Sequence, residues 1–470
     1  MRPSTFNSFF DALFPGTYLG YNTFSSVLLT FDEAEMAEVS VLLDELGRGA
    51  APAASPLYPR LVRAGFVVRD DFDERAEVKR RYRDLGATLK GMSLTIAPTV
   101  SCNFACSYCF QEHPKRTMGR DEIEAIVRRV EEGLEPGTSL GITWFGGEPL
   151  MAMPVLRELA ERLAAICRER GAAISQSMVS NGYLLDDEIA TFLAAQPGFR
   201  YVQITLDGPA AVHDSRRFSA SGQPTFDRIL DNIEQASKRV RIAIRCNVDR
   251  TNVGDLEGLV EALVARGLTS RVSVYLGHVQ PYTDVCSDAG ETALSKEEFA
   301  AADARFRFHL FQRGFLSPAH RPRANTASLC VADHPNGAVL APGGLEFKCW
   351  NETAMGPEHA SARYAGAAPE GRRSLPLAQG GGDEAPAMAK NLEGWTGYDP
   401  FFHEPCQTCP VMPLCRGGCP WESRKRPAFN TGHCTPYKWN LGDILRIHHM
   451  SEVVRHGLSG GEPEAELPCQ

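Results

Sequence analysis

The sequence predicts an α/β protein built around a parallel sheet that curves into a partial barrel. Strand-like and helix-like segments alternate six times between residue 91 and about residue 280, a pattern typical of parallel sheets with helices outside. Right-handed crossovers curve such a sheet. Short polar, glycine-rich or cysteine-rich motifs follow successive strands, at the edge where these sheets place active sites.

The six units are read from apolar runs separated by helical patterns. The predicted strands are 92–98, 140–145, 173–179, 201–206, 240–248 and 271–278. The predicted helices are Arg120–Glu132, Pro154–Arg170, Asp186–Ala195 and Phe226–Lys238. We expect the barrel to occupy residues 91–285, followed by a linker, 286–325, with one helix at Ser295–Arg313.

Residues 1–90 form a separate small unit without recognisable chemistry. A strand-like Ser26–Phe31 leads into a helix that starts with acidic residues at Asp32 and ends near Gly47. A second helix, Leu57–Ala64, runs into the strand-like 65–68. Two helices and a strand suit a winged-helix-like module. It either recognises a peptide or caps the barrel.

Composition narrows the functional class. The net charge of −9 argues against a general nucleic-acid binder. No apolar run approaches the length of a membrane span, and the first residues are a poor signal peptide. Fourteen cysteines in such a chain indicate metal ligands in a reducing compartment. We therefore expect a cytoplasmic protein.

The most informative motif follows the first strand and reads Cys102-Asn-Phe-Ala-Cys106-Ser-Tyr-Cys109. Three thiolates at C-x3-C-x2-C spacing can ligate three irons of a [4Fe–4S] cube and leave the fourth iron open. Three structural thiols, or a zinc site short of one ligand, are the alternatives. With Tyr108 directly before the last cysteine, the loop resembles the signature of the radical S-adenosylmethionine (SAM) enzymes. The resemblance implies a partial (β/α)6 TIM barrel, an open iron that binds SAM, and reductive cleavage of SAM to a 5′-deoxyadenosyl radical.

Motifs after later strands match the SAM-binding positions of that family. Gly146-Gly147-Glu148-Pro resembles the motif whose backbone and acid receive the SAM ammonium. Ser180 and Asn181 follow the third strand. Thr205 stands where serine is more usual, and Arg217 matches a SAM-contacting arginine. The resemblance thus predicts a set of SAM contacts: Tyr108, Gly146, Gly147, Glu148, Ser180, Asn181, Thr205 and Arg217.

Some chemistry-bearing residues fit no motif. Arg245, in the fifth strand, could meet a carboxylate, but a surface ion pair is the simpler interpretation. His278 and the histidines at 309 and 320 have no partner at metal-ligand spacing, so we interpret them as structural.

A second cysteine set fills the predicted C-terminal domain, 326–470, which contains a Gly/Ala/Pro-rich insertion at 356–390 that we expect to be flexible. The pattern is C-x13-G-x4-C, then C-x2-C-x5-C-x3-C, then a last cysteine. Two zinc ribbons are the structural alternative. The spacing resembles the SPASM domain, which implies two auxiliary [4Fe–4S] clusters and three clusters in total. Carried over, Cys406, Cys409, Cys415 and Cys434 would hold the outer cluster, and Cys330, Cys349 and Cys419 the inner one.

The inner cluster is one protein ligand short in this pattern. Asp333, His334, Cys286 or Cys469 could complete it. Otherwise an open iron could bind a substrate thiolate, as metals bind deprotonated cysteine elsewhere. Cys167, Cys246, Cys286 and Cys469 fit no motif, and we interpret three of these four as ordinary small hydrophobic residues.

The resemblances imply an oxidoreductase that modifies a ribosomal precursor peptide by oxidation or by a thioether, C–C or C–O crosslink, with a flavodoxin or ferredoxin as electron donor. A sulfatase-maturase-like enzyme is one alternative. In those relatives an aspartate after the second SPASM cysteine acts as base, whereas here Trp350 and Asn351 follow Cys349. A non-catalytic iron–sulfur electron carrier is the alternative from another class. The peptide, the residue attacked and the bond formed are not encoded in any motif.

Overall fold

A nine-stranded sheet forms the centre of the structure, in the order β11-β10-β9-β8-β7-β6-β12-β13-β14. Its first seven strands are parallel, and β13 and β14 add antiparallel strands at one edge. The structure is a computed structural model that describes residues 1–51, 54–315, 321–324, 330–353, 355–365, 385–396, 399, 401, 403–425 and 434–459. Cys469 and His320 lie outside these described residues.

The strands in chain order are β1 Arg2–Pro3, β2 Asn7–Asp11, β3 Thr17–Asn22, β4 Val27–Asp32, β5 Val67–Val68, β6 Met92–Ile96, β7 Ser139–Trp144, β8 Ala173–Ser180, β9 Phe199–Thr205, β10 Ile242–Val248, β11 Val272–His278, β12 Gly337–Ala341, β13 Leu345–Phe347 and β14 Ala362–Arg363. All six predicted barrel strands are confirmed, with ends displaced by at most two residues. Strand β12 is an addition to the predicted sheet. It pairs in parallel with β6 and ties the C-terminal region to the barrel.

The helices are α1 Glu33–Gly47, α2 Leu57–Arg63, α3 Glu74–Thr88, α4 Arg120–Gly133, α5 Met153–Glu169, α6 Asp187–Ala195, α7 Ala210–Arg216, α8 Phe226–Ala236, α9 Leu256–Ala265, α10 Ala289–Thr292, α11 Lys296–Gln312, α12 Ala385–Thr396, α13 Glu404–Gln407, α14 Met412–Cys415, α15 Pro420–Lys425 and α16 Tyr437–Ser459. No described helix is both long enough and apolar enough to cross a membrane. The predicted barrel helices are present, and α7 and α9 are additional.

Alternating burial along the strands separates the core from the barrel interior. In β10, Ile242, Ile244 and Cys246 are buried in the large apolar cluster between sheet and helices. Helix α8 contributes Phe226, Ile229, Leu230 and Ile233 to that cluster, at the i, i+3, i+4, i+7 spacing of one helix face. The opposite face of each strand therefore lines the inside of the barrel.

The N-terminal unit contains the two predicted helices and the two predicted strands, together with three strands and a helix that the sequence pattern did not predict. Strands β2, β3 and β4 form an antiparallel meander, while β1 pairs with β5. Asp32 and Glu35 form a capping box that starts α1. One face of the meander packs on α1 and α2, and the other packs Leu19 and Tyr21 against Leu441 and Leu445 of α16.

The predicted flexible insertion at 356–390 is wrong at both ends. Residues 362 and 363 form β14 and pair with β13, and α12 begins at Ala385. The middle of that stretch, 366–384, lies outside the described residues. The composition rule failed at the ends because a short edge strand needs only a few backbone hydrogen bonds, which composition does not reveal.

Candidate active site

The cysteine loop lies at the carboxyl end of β6, between that strand and α4. Backbone hydrogen bonds anchor it to the end of α7 and to the segment that follows β7. Ala105 N donates to Phe218 O and Ser107 N to Arg216 O, both at 3.0 Å. From the neighbouring β7, Glu148 N donates to Ser101 O at 3.0 Å. Backbone hydrogen bonds to neighbouring segments therefore fix the position of the loop that carries Cys102, Cys106 and Cys109.

The three thiols have the chemistry expected of cluster ligands. Burial raises the pKa of Cys102 to about 12 and that of Cys106 to about 11, and it also raises the pKa of Cys109. Buried thiolates need a strong positive partner, which iron supplies. Among the described residues, no three His, Cys, Asp or Glu side chains converge closely enough to hold a single metal ion.

Two glycines after β7 let the backbone pass directly beside the cysteine loop. Gly146 has a φ of 126°, and a Cβ there would lie 2.2 Å from Thr99 O. A Cβ at Gly147 would lie 2.3 Å from Ser101 O. Any other residue would push the loop away, so the close approach requires glycine at both positions.

The carboxylate of Glu148 is fully buried beside this loop. It accepts hydrogen bonds from Ser180 Oγ at 2.9 Å, from Asn181 N at 2.7 Å and from Leu150 N at 3.0 Å. Burial nevertheless raises its pKa to about 7. The site therefore favours a cationic ligand, which would restore the ionised carboxylate.

A polar network joins the aromatic residue of the cysteine loop to strands β9 and β10. The Tyr108 hydroxyl donates to Asp207 and accepts from Arg217 Nη1 at 2.8 Å and Asn247 Nδ2 at 3.1 Å. Asp207 also accepts from Asn247 N at 2.9 Å. Because Arg217 and Asp207 are buried, each must have these partners. Thr205 is buried at the end of β9, next to the network.

Sequence reasoning missed several members of this network. Asp207 lies inside the Thr205 motif, which assigned no role to it, and Asn247 lies near the end of a strand without any motif. Arg216, next to the predicted Arg217, pairs with Asp249 at 2.9 Å inside the protein. The only sequence signal for Asp207 and Asn247 was their position, since each is an acidic or amide residue at or near the carboxyl end of a barrel strand.

The histidines, cysteines and arginine that fit no sequence motif lie in different environments. His278 is structural, because its Nε2 lies 2.7 Å from Leu294 O and its ring stacks on Phe299. His309 lies 3.6 Å from Glu261. Cys167 and Cys246 are buried in the main core. The prediction of a surface ion pair for Arg245 is wrong: the side chain turns into the barrel, because its Nε donates to Asn247 Oδ1 at 2.7 Å.

The structure also brings together members of both C-terminal cysteine groups that the SPASM resemblance implies. Cys406, Cys409, Cys415 and Cys434 line one common cavity. Burial, followed by the nearby charges, raises the pKa of the Cys349 thiol, and Cys330 and Cys419 are among those charges. Each group thus brings its sulfurs close together, and the donor set of each suits iron and sulfide.

The candidates for a fourth inner ligand have other contacts. Asp333 accepts a hydrogen bond from the Tyr82 side chain, and Nδ1 of His334 accepts from Asn336 N at 3.1 Å. Cys286 is buried in a small cluster with Val279 and packs near Tyr108, beside the first cysteine loop. Among the described candidates, Asp333 is near Cys330 in sequence and within electrostatic range of its thiol.

Trp350 occupies the position after Cys349 and points at the barrel. Its indole Nε1 donates to Thr95 Oγ1 of β6 at 2.8 Å, and its ring lies 4.8 Å from that of Phe145. An aromatic wall therefore stands where the sulfatase-maturase pattern has a carboxylate.

The arrangement brings three buried thiols next to a buried carboxylate that suits a cationic ligand. Comparison with known proteins shows which family this part of the chain resembles. Residues 96–283 match the Radical SAM superfamily. The chain is 26% identical over 368 residues to a serine-type anaerobic sulfatase-maturating enzyme of Klebsiella aerogenes, covering 73% of this chain and 83% of that protein. It is 32% identical over 170 residues to a cysteine-type anaerobic sulfatase-maturating enzyme of Clostridium perfringens, covering 33% and 44%.

Solved structures show the same fold. The structure of native anSMEcpe with bound AdoMet has a TM-score of 0.53 and 20% identity, and the match covers 79% of this chain and 100% of that one. Native anSMEcpe with bound AdoMet and Cp18Cys peptide has a TM-score of 0.53 and 19% identity, with 78% and 99% covered. Residues 96–283 thus match a radical SAM domain, and the chain as a whole is similar to the anaerobic sulfatase-maturating enzymes.

Proposed function

We propose that this radical SAM enzyme matures a peptide: it oxidises or crosslinks a residue of a ribosomal precursor. The observation that carries the proposal is the buried Glu148 carboxylate beside three thiols, combined with the Tyr108–Asp207–Arg217 network. An electron carrier needs no such ligand site next to its cluster, so the site argues against the non-catalytic alternative.

Three [4Fe–4S] clusters and SAM are the cofactors of this proposal. Cys102, Cys106 and Cys109 would hold the first, and the two C-terminal groups would hold the others. With SAM bound and one electron delivered by a flavodoxin or ferredoxin, the first cluster supplies the reductive cleavage that generates the deoxyadenosyl radical.

The chain's own residues would bind and orient SAM. Glu148 would receive the SAM ammonium, and Gly146 and Gly147 would let the backbone approach it. Arg217 would pair with the SAM carboxylate. Its buried guanidinium donates a hydrogen bond to Tyr108, which holds the side chain in one orientation. The remaining contacts would come from neighbouring strand ends, at Ser180, Asn181 and Thr205.

The substrate class follows from the relatives and from Trp350. Sulfatase-maturating enzymes modify a protein side chain, and the anSMEcpe structure contains a peptide. In this chain Trp350 stands where the sulfatase-maturase pattern has the aspartate that acts as base. The absence of that carboxylate at this position favours a different target residue. An aromatic wall made by Trp350 and Phe145 suits an apolar or cysteine side chain better than a serine that must be deprotonated.

The N-terminal unit offers a place for the precursor's leader segment. Strand β4 pairs with β3 on one side, and among the described residues no strand pairs on its other side. The Thr30 carbonyl accepts from the Arg60 side chain at 3.1 Å, which indicates that this backbone group faces outward. A peptide strand added along β4 would use such groups.

The inner cysteine trio leaves one iron position for a side chain or for substrate. Because Asp333 already accepts from Tyr82, we favour an open position that binds a substrate thiolate. Pulsed EPR of the reduced enzyme tests this point. A protein ligand that stays unchanged on adding peptide contradicts it.

Co-expression with a short cysteine- or aromatic-bearing reading frame beside the gene, followed by mass spectrometry, tests the proposed function. We expect a peptide lighter by two hydrogens per modification. Matched expression with a C102A/C106A/C109A variant should yield the unmodified peptide. An unmodified peptide from both, while the enzyme still cleaves SAM, contradicts peptide maturation.

A further inference from the structure

Arg245 is a cation inside the barrel that the SAM site does not use. Arg245 lies on the interior-facing side of β10, opposite Thr205 in β9 and Tyr275 in β11. The Nε donates to Asn247 Oδ1 at 2.7 Å. Within the described part of the chain, the guanidinium forms no ion pair, so its charge is available to a ligand.

The neighbouring strand is shaped to admit this side chain. A Cβ built on Gly277 would lie 2.2 Å from Arg245 Nε and 2.6 Å from Asn247 Oδ1. Gly277 sits opposite Asn247 in the register. Any side chain at this position would displace the guanidinium, so glycine here keeps Arg245 extended across β11.

Arg245 is connected to the SAM-site network and lies within electrostatic range of the residues around the inner cysteine trio. Asn247 binds both Arg245 and the Tyr108 hydroxyl. Burial raises the pKa of Tyr282 to about 12, Arg245 opposes that shift, and the charges of Cys419 and Cys349 add to it. Arg245 and the Cys419 and Cys349 thiols are therefore all close enough to Tyr282 for their charges to act on it.

A cavity lies at the amino ends of β9, β10 and β11, on the interior side of the sheet. It measures about 380 Å³ and is lined by Tyr201, Arg241, Ile242, Ala243, Ser273 and Tyr275. Above it, the Tyr275 hydroxyl donates to Gln203. Both residues lie on the same interior-facing side of their strands as Arg245. Among the described residues, no acidic side chain forms an ion pair with its guanidinium.

We propose that Arg245 anchors a carboxylate of the peptide substrate inside the barrel, next to the residue that loses hydrogen. The carboxylate is either an Asp or Glu side chain or the peptide's carboxyl terminus. A planar guanidinium suits two-point binding of a carboxylate, and such charge-assisted bonds are about twice as strong as neutral ones. This inference rests on the proposed function, because it assumes a peptide ligand.

A peptide library tests the assignment with defined probes. Randomised octapeptides are tethered through their amino ends, half with a free carboxyl terminus and half with an amide. Fluorescently labelled holoenzyme with SAM selects beads, and the selected peptides are sequenced. Wild type should prefer an acid over its amide isostere by roughly tenfold or more. Enrichment of Asp or Glu in the amide half identifies a side chain, and enrichment of the free-carboxyl half identifies the terminus.

Matched variants make the result specific. R245Q should lose the preference for acids while its SAM affinity stays unchanged, and R245K should keep part of that preference. G277A, which displaces the guanidinium without removing it, should weaken the preference. R168Q on the exposed side of α5 should behave as wild type.

Each contrary outcome has its own meaning. An acid preference that persists in R245Q, or selection by wild type without such a preference, overturns the assignment while leaving peptide maturation intact. A loss of SAM affinity in R245Q assigns the residue to SAM and also overturns it. If wild type selects no peptide above bare resin, the proposed function fails and this inference fails with it.

Discussion

The Arg217 guanidinium donates a hydrogen bond to the Tyr108 hydroxyl at 2.8 Å, across 109 positions of the chain. This bond links the cysteine loop after β6 to the segment after β9. Both residues also belong to the network around the buried Asp207. The loop that would carry the cluster and the segment that would bind SAM are thus one connected unit.

Replacing Tyr108 by phenylalanine should weaken SAM binding without removing the cluster. The change leaves Asp207, Arg217 and Asn247 each short of one partner inside the protein, so we expect roughly tenfold weaker affinity. Calorimetry of the iron-loaded enzyme measures the affinity, and visible absorption measures the cluster. Y58F on α2 serves as the control. Unchanged SAM affinity in Y108F contradicts a role for this network.

SAM affinity should rise with pH through the range around 7. Burial raises the pKa of Glu148 to about 7, so its carboxyl is largely protonated at pH 6 and largely ionised at pH 8. Only the ionised form attracts the SAM ammonium, which gives about a tenfold increase across that interval. Titrations at several pH values should show this slope in wild type and in E161Q.

The E148Q variant should bind SAM more weakly, and its SAM affinity should no longer show the rise with pH that comes from ionisation of Glu148. The amide cannot ionise, yet it fills nearly the same space beside Ser180 and Asn181. An identical pH profile in E148Q would assign the dependence to another group, such as the SAM amine itself.

A proline at Thr30 should reduce precursor binding and leave SAM cleavage intact. The outward-facing backbone of Thr30 would lose its N–H donor for an added strand, while pairing with β3 uses other residues of β4. We expect roughly tenfold lower affinity for the precursor by fluorescence polarisation, from the lost main-chain bond. T30V keeps the N–H and is the control. Equal affinities for T30P and T30V would reduce the N-terminal unit to a structural cap.

Deleting residues 1–90 is a poorer experiment than this substitution. Tyr21 donates to the Pro322 carbonyl, and Leu19 packs against α16. The deletion would therefore expose apolar surface on the C-terminal region and destabilise the whole chain.

Trp350 should stabilise the junction between the barrel and the cysteine-rich region. W350F removes the hydrogen bond to Thr95, and we expect it to lower the free energy of unfolding by about 1 kcal/mol. T95V and the W350F/T95V double variant complete a double-mutant cycle, in which chemical denaturation measures the free energy of unfolding of each variant. A coupling of about 0.5 kcal/mol or more is expected, whereas purely additive effects would show that the bond contributes nothing.

The barrel was predictable from the sequence because each of its strands is a local apolar run. The first four strands also end in motifs whose order matches the order of these strands in the sheet. Cys102, Gly146, Ser180 and Thr205 could therefore be assigned to one edge of the sheet from their spacing along the chain. Local pattern and long-range arrangement agree here.

The remaining features depend on contacts between distant segments. Strand β12 is a short apolar run that becomes part of the sheet only by pairing with β6. Arg245 looked like a surface residue because one partly polar strand does not reveal which side faces the barrel interior. Its direction depends on Gly277 in the next strand, and such a pair cannot be seen from one sequence alone.

The most direct test of the central claim is reductive cleavage of SAM by the anaerobically reconstituted enzyme. With dithionite and SAM, the wild-type enzyme should release 5′-deoxyadenosine and methionine, detected by chromatography. The C102A/C106A/C109A variant should release neither while keeping roughly two thirds of the iron. The C167A variant, altered in the apolar core, should behave as wild type. Absence of 5′-deoxyadenosine from fully iron-loaded wild type, or its formation by the triple variant, would contradict the account.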